Sequence, residues 1–378
     1  MTMSGIGRVY TQRALLFEEP RPLELQSGAM LAPVQVAYET YGTLDSEGAN
    51  VVFVCHALSG DAHAAGHHGD PRRRGWWDTI IGPGRPLDTD RFFVVCPNLL
   101  GGCAGTTGPS SVDPRTGRAY GLRFPLLSVR DLVTVHRALL SHLGVSRVHA
   151  AVGGSLGGMQ ALQWALDHPA QVGRAVLVCV SARLTAQNIA LTAVARAAIM
   201  SDPDFQGGDY LDGPRRPRRG LSVARKLGHI TYLSTESMRR KFDRRRRDGR
   251  DAPMSMSSDF EVEHYLDHQG DSFAERFDAL SYLYLTRLMD YFDPFAEPAL
   301  DLDAVGTRFL AISFDSDWRF GSEHSRHVID VLSAAGVDAR HAEVSSPWGH
   351  DSFLLENETY HQLVAEALRQ EVRHSASA

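Results

Sequence analysis

A serine surrounded by glycines is the part of this sequence best suited to covalent chemistry. Gly153-Gly154-Ser155-Leu156-Gly157 follows the pattern G-x-S-x-G and lies between an apolar run and a segment with helical spacing. A serine on such a strand-to-helix turn takes up a strained backbone conformation, so its neighbours must be small to avoid clashes. We therefore predict that Ser155 is the nucleophile of an acyl-transfer or ester-hydrolysis reaction.

A serine hydroxyl is a weak nucleophile, and a histidine can activate it by removing its proton. His350 lies in the late segment SSPWGHDSF, directly after a strand-like run, and its position fits this role. An acidic residue must orient that histidine. The apolar run 308–314 leads into Asp315 and Asp317, and spacing alone does not choose between these two carboxylates.

The oxyanion of an acyl-transfer intermediate requires two backbone N–H donors. We expect one donor to be the residue after the nucleophile, Leu156. Residues 55–60, CHALSG, follow an early apolar run, and Leu58 is the expected second donor. Both leucines would act through their amides, so their side chains are free to serve packing alone.

Several histidines near residue 65 raise the question of a metal site. His63, His67 and His68 lie close in sequence to Asp61 and Asp70, but no HExxH motif or Cys/His framework accompanies them. We therefore predict no metal ligand in this chain.

Short apolar runs bounded by Gly, Pro and Asp predict the strands that position these residues. Continuous runs of this kind are typical of a parallel sheet buried on both faces; they are 51–56, 92–97, 148–152, 175–180 and 308–314. Residues 33–41 alternate apolar and polar, which predicts a half-exposed strand. Helical spacing over 128–143 and 157–167 completes the pattern of a doubly wound α/β sheet.

The alternation of strands and helices stops between residues 183 and 297, where several helical segments occur. This change predicts a core domain formed by 1–182 and 298–378, with a helical lid domain at 183–297 inserted into it. Two arginine runs in the insertion, at 215–219 and 244–247, are interpreted as solvated loops, with binding of CoA phosphates or nucleic acid as the alternative.

The composition limits the classes of function. The 378 residues are 43% hydrophobic and carry a formal net charge of −6, which argues against nucleic acid as a partner. Four cysteines form no CxxC pair, which favours a reduced environment. We find no signal-peptide pattern and no apolar run near the roughly 20 residues of a membrane span, so we expect a cytoplasmic protein without a membrane partner.

Longer motifs bring a specific resemblance. The chain resembles the homoserine O-acetyltransferase family of the α/β-hydrolase superfamily from about residue 15 to about residue 357. The similarity is carried by long segments, among them HALSGDAH (56–63), GGSLGGMQAL (153–162), ARKLGHITYLS (224–234) and GHDSFLLE (349–356). It implies the α/β-hydrolase fold, a mostly parallel sheet with a helical lid insertion.

The resemblance also assigns roles to individual residues. It implies that Ser155 is the nucleophile, His350 the base and Asp317 the acid. Arg225 matches a substrate-binding arginine, and Asp351 matches a substrate-binding aspartate beside the base. A guanidinium can hold the carboxylate of an amino acid in a bidentate fork, and a carboxylate can hold its ammonium group.

The activity implied is transfer of acetyl from acetyl-CoA to the hydroxyl of L-homoserine, through a Ser155 acyl-enzyme, in methionine biosynthesis. Acetyl-CoA would be a co-substrate, with no cofactor, and a homodimer would form through the lid. Alternatives are a succinyl donor, serine as the acceptor, or a carboxylesterase-type hydrolase. The chain departs from the family pattern after Trp318, where it reads Arg319-Phe320-Gly321-Ser322, and in the basic segment 212–220.

Overall fold

An eight-stranded sheet forms the centre of the protein, for which a computed structural model describes residues 5–247 and 256–369. Its strands, in chain order, are β1 (Gln12–Leu16), β2 (Val34–Tyr41), β3 (Val51–Cys55), β4 (Phe93–Pro97), β5 (Ala150–Gly154), β6 (Arg174–Val178), β7 (Arg308–Phe314) and β8 (Ala339–Val344). Their order across the sheet is β1-β2-β4-β3-β5-β6-β7-β8. The pairs that involve β1 or β2 are antiparallel and all others are parallel.

Helices cover both faces of this sheet. They are α1 (Val129–His142), α2 (Leu156–Asp167), α3 (Ala186–Met200), α4 (Arg218–Tyr232), α5 (Thr235–Lys241), α6 (Glu261–Arg276), α7 (Ala279–Asp290), α8 (Ser322–Ala334) and α9 (Glu358–Arg369). Alternate residues of β3 enter opposite cores, Phe53 on one face and Val52 and Val54 on the other. Burial on both faces explains why this strand reads as a continuous apolar run.

Shorter elements lie in the connections. The short paired strands are Leu23–Glu24 with Met30–Leu31, Ile81–Gly82 with Leu87–Asp88, and Val112–Asp113 with Arg118–Ala119. Short 3-10 helices occur at Gly121–Arg123, Pro203–Gly208, Pro294–Ala296 and Gly349–Leu354.

The start of α1 shows how local sequence sets an element boundary. Ser128 accepts a hydrogen bond from the N–H of Asp131, and the Asp131 carboxylate accepts one from the N–H of Ser128. This reciprocal capping box satisfies backbone donors that have no partner within the helix. The helix predicted over 128–143 therefore begins at Val129, directly after its cap.

Helices α3 to α7 occupy the connection between β6 and β7. Helix α4 packs against α3 and α6 and also against the 3-10 helix Gly349–Leu354, which carries His350. These contacts bring the inserted helices to the edge of the sheet where the parallel strands end. The lid role and the boundary at 183–297 stay predictions, and residues 1–4, 248–255 and 370–378 of the predicted domains lie outside the described residues.

The predicted strands and helices are observed with boundaries shifted by a few residues. The prediction that residues 33–41 form a half-exposed strand is wrong in its exposure, because six of the eight residues of β2 are buried, with Val36 and Tyr38 in the core on one face of the sheet and Tyr41 in the core on the other. In the described part of the chain, no helix has the length and apolar character needed to cross a membrane.

Candidate active site

Ser155 lies on the sharp turn between β5 and α2, with φ at +57° and ψ at −123°. A positive φ is strained for a residue with a side chain and marks sites where packing enforces the geometry. Close approach explains the glycines around it. A Cβ on Gly157 would lie 2.0 Å from the carbonyl oxygen of Cys55, and one on Gly153 would lie 2.4 Å from the backbone of Gly157.

His350 and Asp317 lie in hydrogen-bond contact. The Nδ1–H of His350 donates to Oδ2 of Asp317 over 2.7 Å, and both side chains are almost completely buried. Since an ionised carboxylate only accepts hydrogen bonds, this contact assigns the ring proton to Nδ1 and leaves Nε2 able to accept a proton. The other oxygen of Asp317 accepts the backbone N–H groups of Arg319 and Phe320, each at 2.9 Å.

Asp315, which spacing left as an alternative acid, has a different environment. Its Oδ1 accepts the backbone N–H of Ser346 at 3.0 Å, on the loop that precedes His350. The neighbouring Ser316 accepts the N–H of Gly349 at 2.9 Å. These bonds tie the loop after β7 to the loop after β8. The structure thus brings Asp317, not Asp315, against the histidine.

The two predicted oxyanion donors lie on segments that meet at Ser155. Leu156 is the first residue of α2, so its N–H has no carbonyl partner within the helix. Leu58 lies just after β3, in a turn closed by a hydrogen bond from the N–H of Gly60 to the carbonyl of Ala57. The N-terminus of a helix also favours negative charge, which suits an oxyanion at this position.

A cavity of about 290 Å³ opens beside Ser155. The residues that line it come from the loop after β3, from α4, from α6 and from the late loops that carry the histidine and the acid. Five of them were predicted as site residues: Leu58, Ser155, Arg225, His350 and Asp351. Others were not predicted: Ser59, Trp76, His229, Tyr232, Arg276, Met289, Arg319 and Phe353.

Arg225 extends from α4 into this cavity. Its Nη1 donates to the hydroxyl of Ser59 over 3.2 Å, and its guanidinium carbon lies 4.7 Å from the centre of the Phe273 ring. Its Nε is buried without a hydrogen-bond partner among the described residues. A guanidinium with unused donors in a partly buried cavity is suited to bind a carboxylate.

Asp351 lines the same cavity, directly after His350. Burial raises the pKa of its carboxyl above the usual value, although the charges of His350 and Arg225 act in the opposite direction. A carboxylate in such a place gains from a cation that enters the cavity. Arg225 and Asp351 therefore offer one site for an anionic group and one for a cationic group.

His229 follows Arg225 by one helical turn and was not predicted. Burial, with the nearby charge of Arg225, lowers its pKa to about 3, so the imidazole is neutral at physiological pH. Its Nδ1 is 3.1 Å from the hydroxyl of Tyr265, and its Nε2 is buried without a partner among the residues described. The spacing of four residues in ARKLGH was a signal that both side chains share one helix face.

Two further arginines reach the cavity. Arg319 is nearly buried; its Nη1 donates to the hydroxyl of Thr231 over 3.0 Å, and its guanidinium carbon lies 5.5 Å from the centre of the Tyr232 ring. Arg276 donates to the carbonyl of Ser59 at 3.2 Å, and burial lowers its pKa. Neither forms an ion pair with a described carboxylate. The sequence offered one signal for Arg319: the segment after Trp318 differs from the pattern of the family that the chain resembles.

The histidines near residue 65 meet a buried glutamate that the sequence did not indicate. His63 Nδ1 lies 3.0 Å from one oxygen of Glu39, and His68 Nε2 lies 2.6 Å from the other. Tyr41 and Thr11 also donate to this carboxylate. Four donors satisfy Glu39, which has no solvent exposure, and together they form a buried hydrogen-bond network.

Two other residues of this sequence segment, His67 and Asp70, have separate contacts. Asp70 pairs with Arg72 at 3.1 Å, and the ring of His67 accepts the N–H of Gly69. The rings of His63 and His68 are tilted by 34° relative to each other, with their centres 3.9 Å apart. Glu39, His63 and His68 each offer one possible ligand atom within 4.8 Å of the others, so the absence of a metal ligand stays a prediction.

Comparisons with known proteins agree with this geometry. Residues 50–356 match the family described as alpha/beta hydrolase fold. A homoserine O-succinyltransferase of Nocardioides sp. is 57% identical over 97% of this chain and 100% of its own length. A homoserine O-acetyltransferase of Methanosphaerula palustris is 49% identical over 93% of this chain and 72% of its own length.

Solved structures show the same fold along almost the whole chain. Homoserine O-acetyltransferase from Bacillus anthracis superposes with a TM-score of 0.88 at 29% identity, covering 97% of this chain and 99% of that one. Esterase E22 superposes with a TM-score of 0.85 at 28% identity, covering 95% and 100%. Identity near one half over full-length relatives is far stronger evidence than the shared fold. The chain therefore belongs to the homoserine O-acyltransferases, which are acyltransferase enzymes of the α/β-hydrolase fold.

Proposed function

We propose that this enzyme transfers a succinyl group from succinyl-CoA to the hydroxyl of L-homoserine, through an acyl-enzyme on Ser155, in methionine biosynthesis. The observation that carries the proposal is the set of side chains that line one cavity. Ser155 and His350, whose ring is hydrogen-bonded to Asp317, line it together with Arg225 and Asp351, which complement the carboxylate and the ammonium of an amino acid.

In the first half-reaction, Oγ of Ser155 attacks the thioester carbonyl while Nε2 of His350 takes the hydroxyl proton. The carbonyl oxygen becomes an oxyanion that the amides of Leu58 and Leu156 stabilise. The tetrahedral adduct then collapses, the C–S bond breaks, and His350 returns the proton to the CoA thiolate. Asp317 keeps the imidazole in its working tautomer and stabilises the imidazolium.

In the second half-reaction, the homoserine hydroxyl attacks the acyl-enzyme and gives its proton to His350. The bond between the acyl carbon and Ser155 breaks, and the serine recovers a proton from the imidazolium. Arg225 and Asp351 hold the two charged ends of homoserine, so that its hydroxyl rather than water reaches the ester.

The choice of succinyl rests on Arg319. After homoserine has engaged Arg225 and Asp351, a neutral acetyl group would leave the buried Arg319 guanidinium with Thr231 and aromatic rings as neighbours. A desolvated cation is costly without a counter-ion. The distal carboxylate of a succinyl group would supply one. Several relatives at 51–57% identity are named succinyltransferases, while acetyl-CoA, expected from the sequence, is the alternative donor.

A donor–acceptor assay tests the proposal. Succinyl-CoA or acetyl-CoA is incubated with homoserine, with serine or with no acceptor, and free thiol and product mass are followed. We expect O-succinylhomoserine, ping-pong kinetics, and a succinylated Ser155 peptide when the acceptor is omitted. Faster turnover with acetyl-CoA would overturn the donor, and intersecting double-reciprocal lines with no trapped intermediate would overturn the acyl-enzyme.

The same assay separates transfer from hydrolysis, the activity that the name of esterase E22 suggests. The shared fold and a serine–histidine–acid arrangement serve both reactions. Thiol release at the same rate with and without homoserine would favour a hydrolase. The guanidinium of Arg225 and the carboxylate of Asp351 in the cavity favour an amino-acid acceptor.

We also propose that the lid contacts a second copy of the chain, as expected from the sequence. Val223 and Ile230 lie on one face of α4, and Val194 lies on the adjacent α3; all three are exposed apolar side chains. An apolar face of this kind is typical of an interface. Light scattering should give the mass of a dimer for the wild type and that of a monomer after Ile230→Glu.

A further inference from the structure

One buried amide side chain connects the two segments that carry the proposed oxyanion donors. Gln160 lies in the second turn of α2 and has no solvent exposure. Its Nε2 donates to the carbonyl of Leu156 over 3.0 Å and to the carbonyl of His56 over 3.1 Å. Leu156 begins α2, and His56 stands two residues before Leu58. The two protons of a single amide group thus link both halves of the site.

The orientation of this amide is fixed from α1. The Oε1 of Gln160 accepts from Nε2–H of His136 over 2.8 Å. Burial lowers the pKa of His136 to about 4, so its ring is neutral at physiological pH. Its Nδ1 is buried without a partner in the described part of the chain, which places the proton on Nε2. A flipped Gln160 amide would set a donor against a donor.

His56 continues the connection to the oxyanion peptide. Its Nε2 accepts the backbone N–H of Leu99 at 3.1 Å, so its Nδ1 carries the proton and donates to the carbonyl of Ala57 at 2.7 Å. The carbonyl of Ala57 and the N–H of Leu58 belong to one planar trans peptide unit and point in opposite directions. Holding that carbonyl therefore sets the direction of the Leu58 N–H.

Close backbone contacts leave little room for either segment to adjust on its own. A Cβ on Gly60 would lie 3.0 Å from Cβ of His56, and one on Gly157 would lie 2.0 Å from the carbonyl oxygen of Cys55. The turn that carries Leu58 and the start of α2 are thus packed against each other, and the Gln160 amide hydrogen-bonds to both across their junction.

We propose that Gln160 is a positioning residue that sets the separation and direction of the Leu58 and Leu156 amides, and that His136 holds Gln160 in its working orientation. Gln160 does not line the substrate cavity, so it acts through the backbone. The inference rests on the proposed acyl-enzyme mechanism, and it names the side chains that prepare the oxyanion site before substrate binds.

The decisive variant is Gln160→Met, which keeps the length of the side chain and removes its hydrogen bonds. Displacing an oxyanion donor should lower kcat by roughly 10- to 100-fold. KM for homoserine should stay within about twofold, since Arg225 and Asp351 are untouched. The matched control is Gln163→Met on the same helix, a buried glutamine that donates to Asp167 instead.

A transition-state mimic separates positioning from general loosening of the fold. An alkylboronic acid forms a charged tetrahedral adduct on a catalytic serine, and its affinity should fall in Gln160→Met by about the same factor as kcat. His136→Gln can present an N–H near the position of Nε2, whereas His136→Leu cannot. We expect near-normal kcat in the first variant and a loss like that of Gln160→Met in the second.

An unchanged kcat in Gln160→Met, an unchanged boronate affinity, or an equal loss in Gln163→Met would overturn the inference. So would equal kcat values in the two His136 variants, which remain informative if Gln160→Met does not fold. Failure of the underlying mechanism looks different. In that case the boronate would not bind the wild type, and Ser155→Ala would retain turnover.

Discussion

His350 donates Nδ1–H to Oδ2 of Asp317 over 2.7 Å, across 33 positions of sequence and with both side chains withdrawn from solvent. The contact joins the loop after β7 to the loop after β8. It leaves Nε2 as the ring nitrogen that can accept a proton. The catalytic behaviour of the protein should therefore depend on this acid and not on its neighbour two residues earlier.

Replacing Asp317 by Asn should lower kcat by about 10⁴-fold, because an amide no longer enforces the tautomer that leaves Nε2 free. The matched control is Asp315→Asn, which alters a loop contact to Ser346. Steady-state kinetics of acyl transfer checks both variants. A larger loss in Asp315→Asn than in Asp317→Asn would contradict the assignment.

Replacing Ser155 by Ala should abolish covalent chemistry. We expect turnover to fall by at least about 10³-fold and the mass of the protein to stay unchanged after incubation with acyl-CoA alone. Ser333→Ala, on the exposed face of α8, should behave like the wild type. An acyl adduct that persists in Ser155→Ala would move the nucleophile to another side chain.

Replacing Arg225 by Lys should affect the second half-reaction and spare the first. A lysine keeps the charge but loses the planar fork, so KM for homoserine should rise by roughly 10- to 100-fold. Release of the first CoA, measured in stopped flow without an acceptor, should be unchanged. Arg219→Lys, at an exposed position of the same helix, is the control. Equal slowing of both half-reactions would argue against a role in acceptor binding.

Replacing Arg319 by Leu should change the preference between donors. The variant lacks the cation proposed to meet the distal carboxylate, so kcat/KM for succinyl-CoA should fall by about 10²-fold. The value for acetyl-CoA should change by only a few fold. Parallel losses with both donors would place Arg319 in support of the fold or of homoserine binding.

Replacing Glu39 by Gln should destabilise the protein in a pH-dependent way. Burial raises the pKa of Glu39, but hydrogen bonds from His63, His68 and Thr11 outweigh burial and hold it below the usual value. Ionised Glu39 therefore adds to the free energy of unfolding. This contribution is complete above the pKa of the unfolded state and is lost as the pH falls through the lower pKa of the folded state. Burial lowers the pKa of His63, but the contact with Glu39 raises it overall. The contribution of protonated His63 to the free energy of unfolding is therefore complete below about pH 6.5 and is lost as the pH rises through the raised folded pKa.

The stability difference between wild type and Glu39→Gln should thus be greatest between about pH 4.5 and 6.5, on the order of 3 kcal/mol. Urea unfolding at pH 5.5 and pH 9 measures it, and Glu47→Gln at an exposed position is the control. A difference that grows from pH 5.5 to pH 9 would contradict this account.

Local features were readable from the sequence because their causes are local. The glycines at 153, 154 and 157 predict the turn at Ser155, because a side chain at any of these positions would clash with neighbouring atoms. The inner parallel strands appear in the sequence as apolar runs, because burial on both faces removes polar positions, whereas the edge strand β8 keeps polar residues. His350 could be placed by its position after the last strand.

Only the tertiary structure brought distant side chains together. It set Asp317 rather than Asp315 against His350, placed Arg319 and His229 in the cavity, and joined Glu39 to His63 and His68. It also placed Gln160 between the two oxyanion segments. The sequence by itself determined the turn at Ser155 and the buried strands, because local sterics and burial restrict which residue types can stand at neighbouring positions. Which side chains meet a given charged residue depends on how loops from separate strands pack together. The spacing of residues along the chain does not indicate this packing.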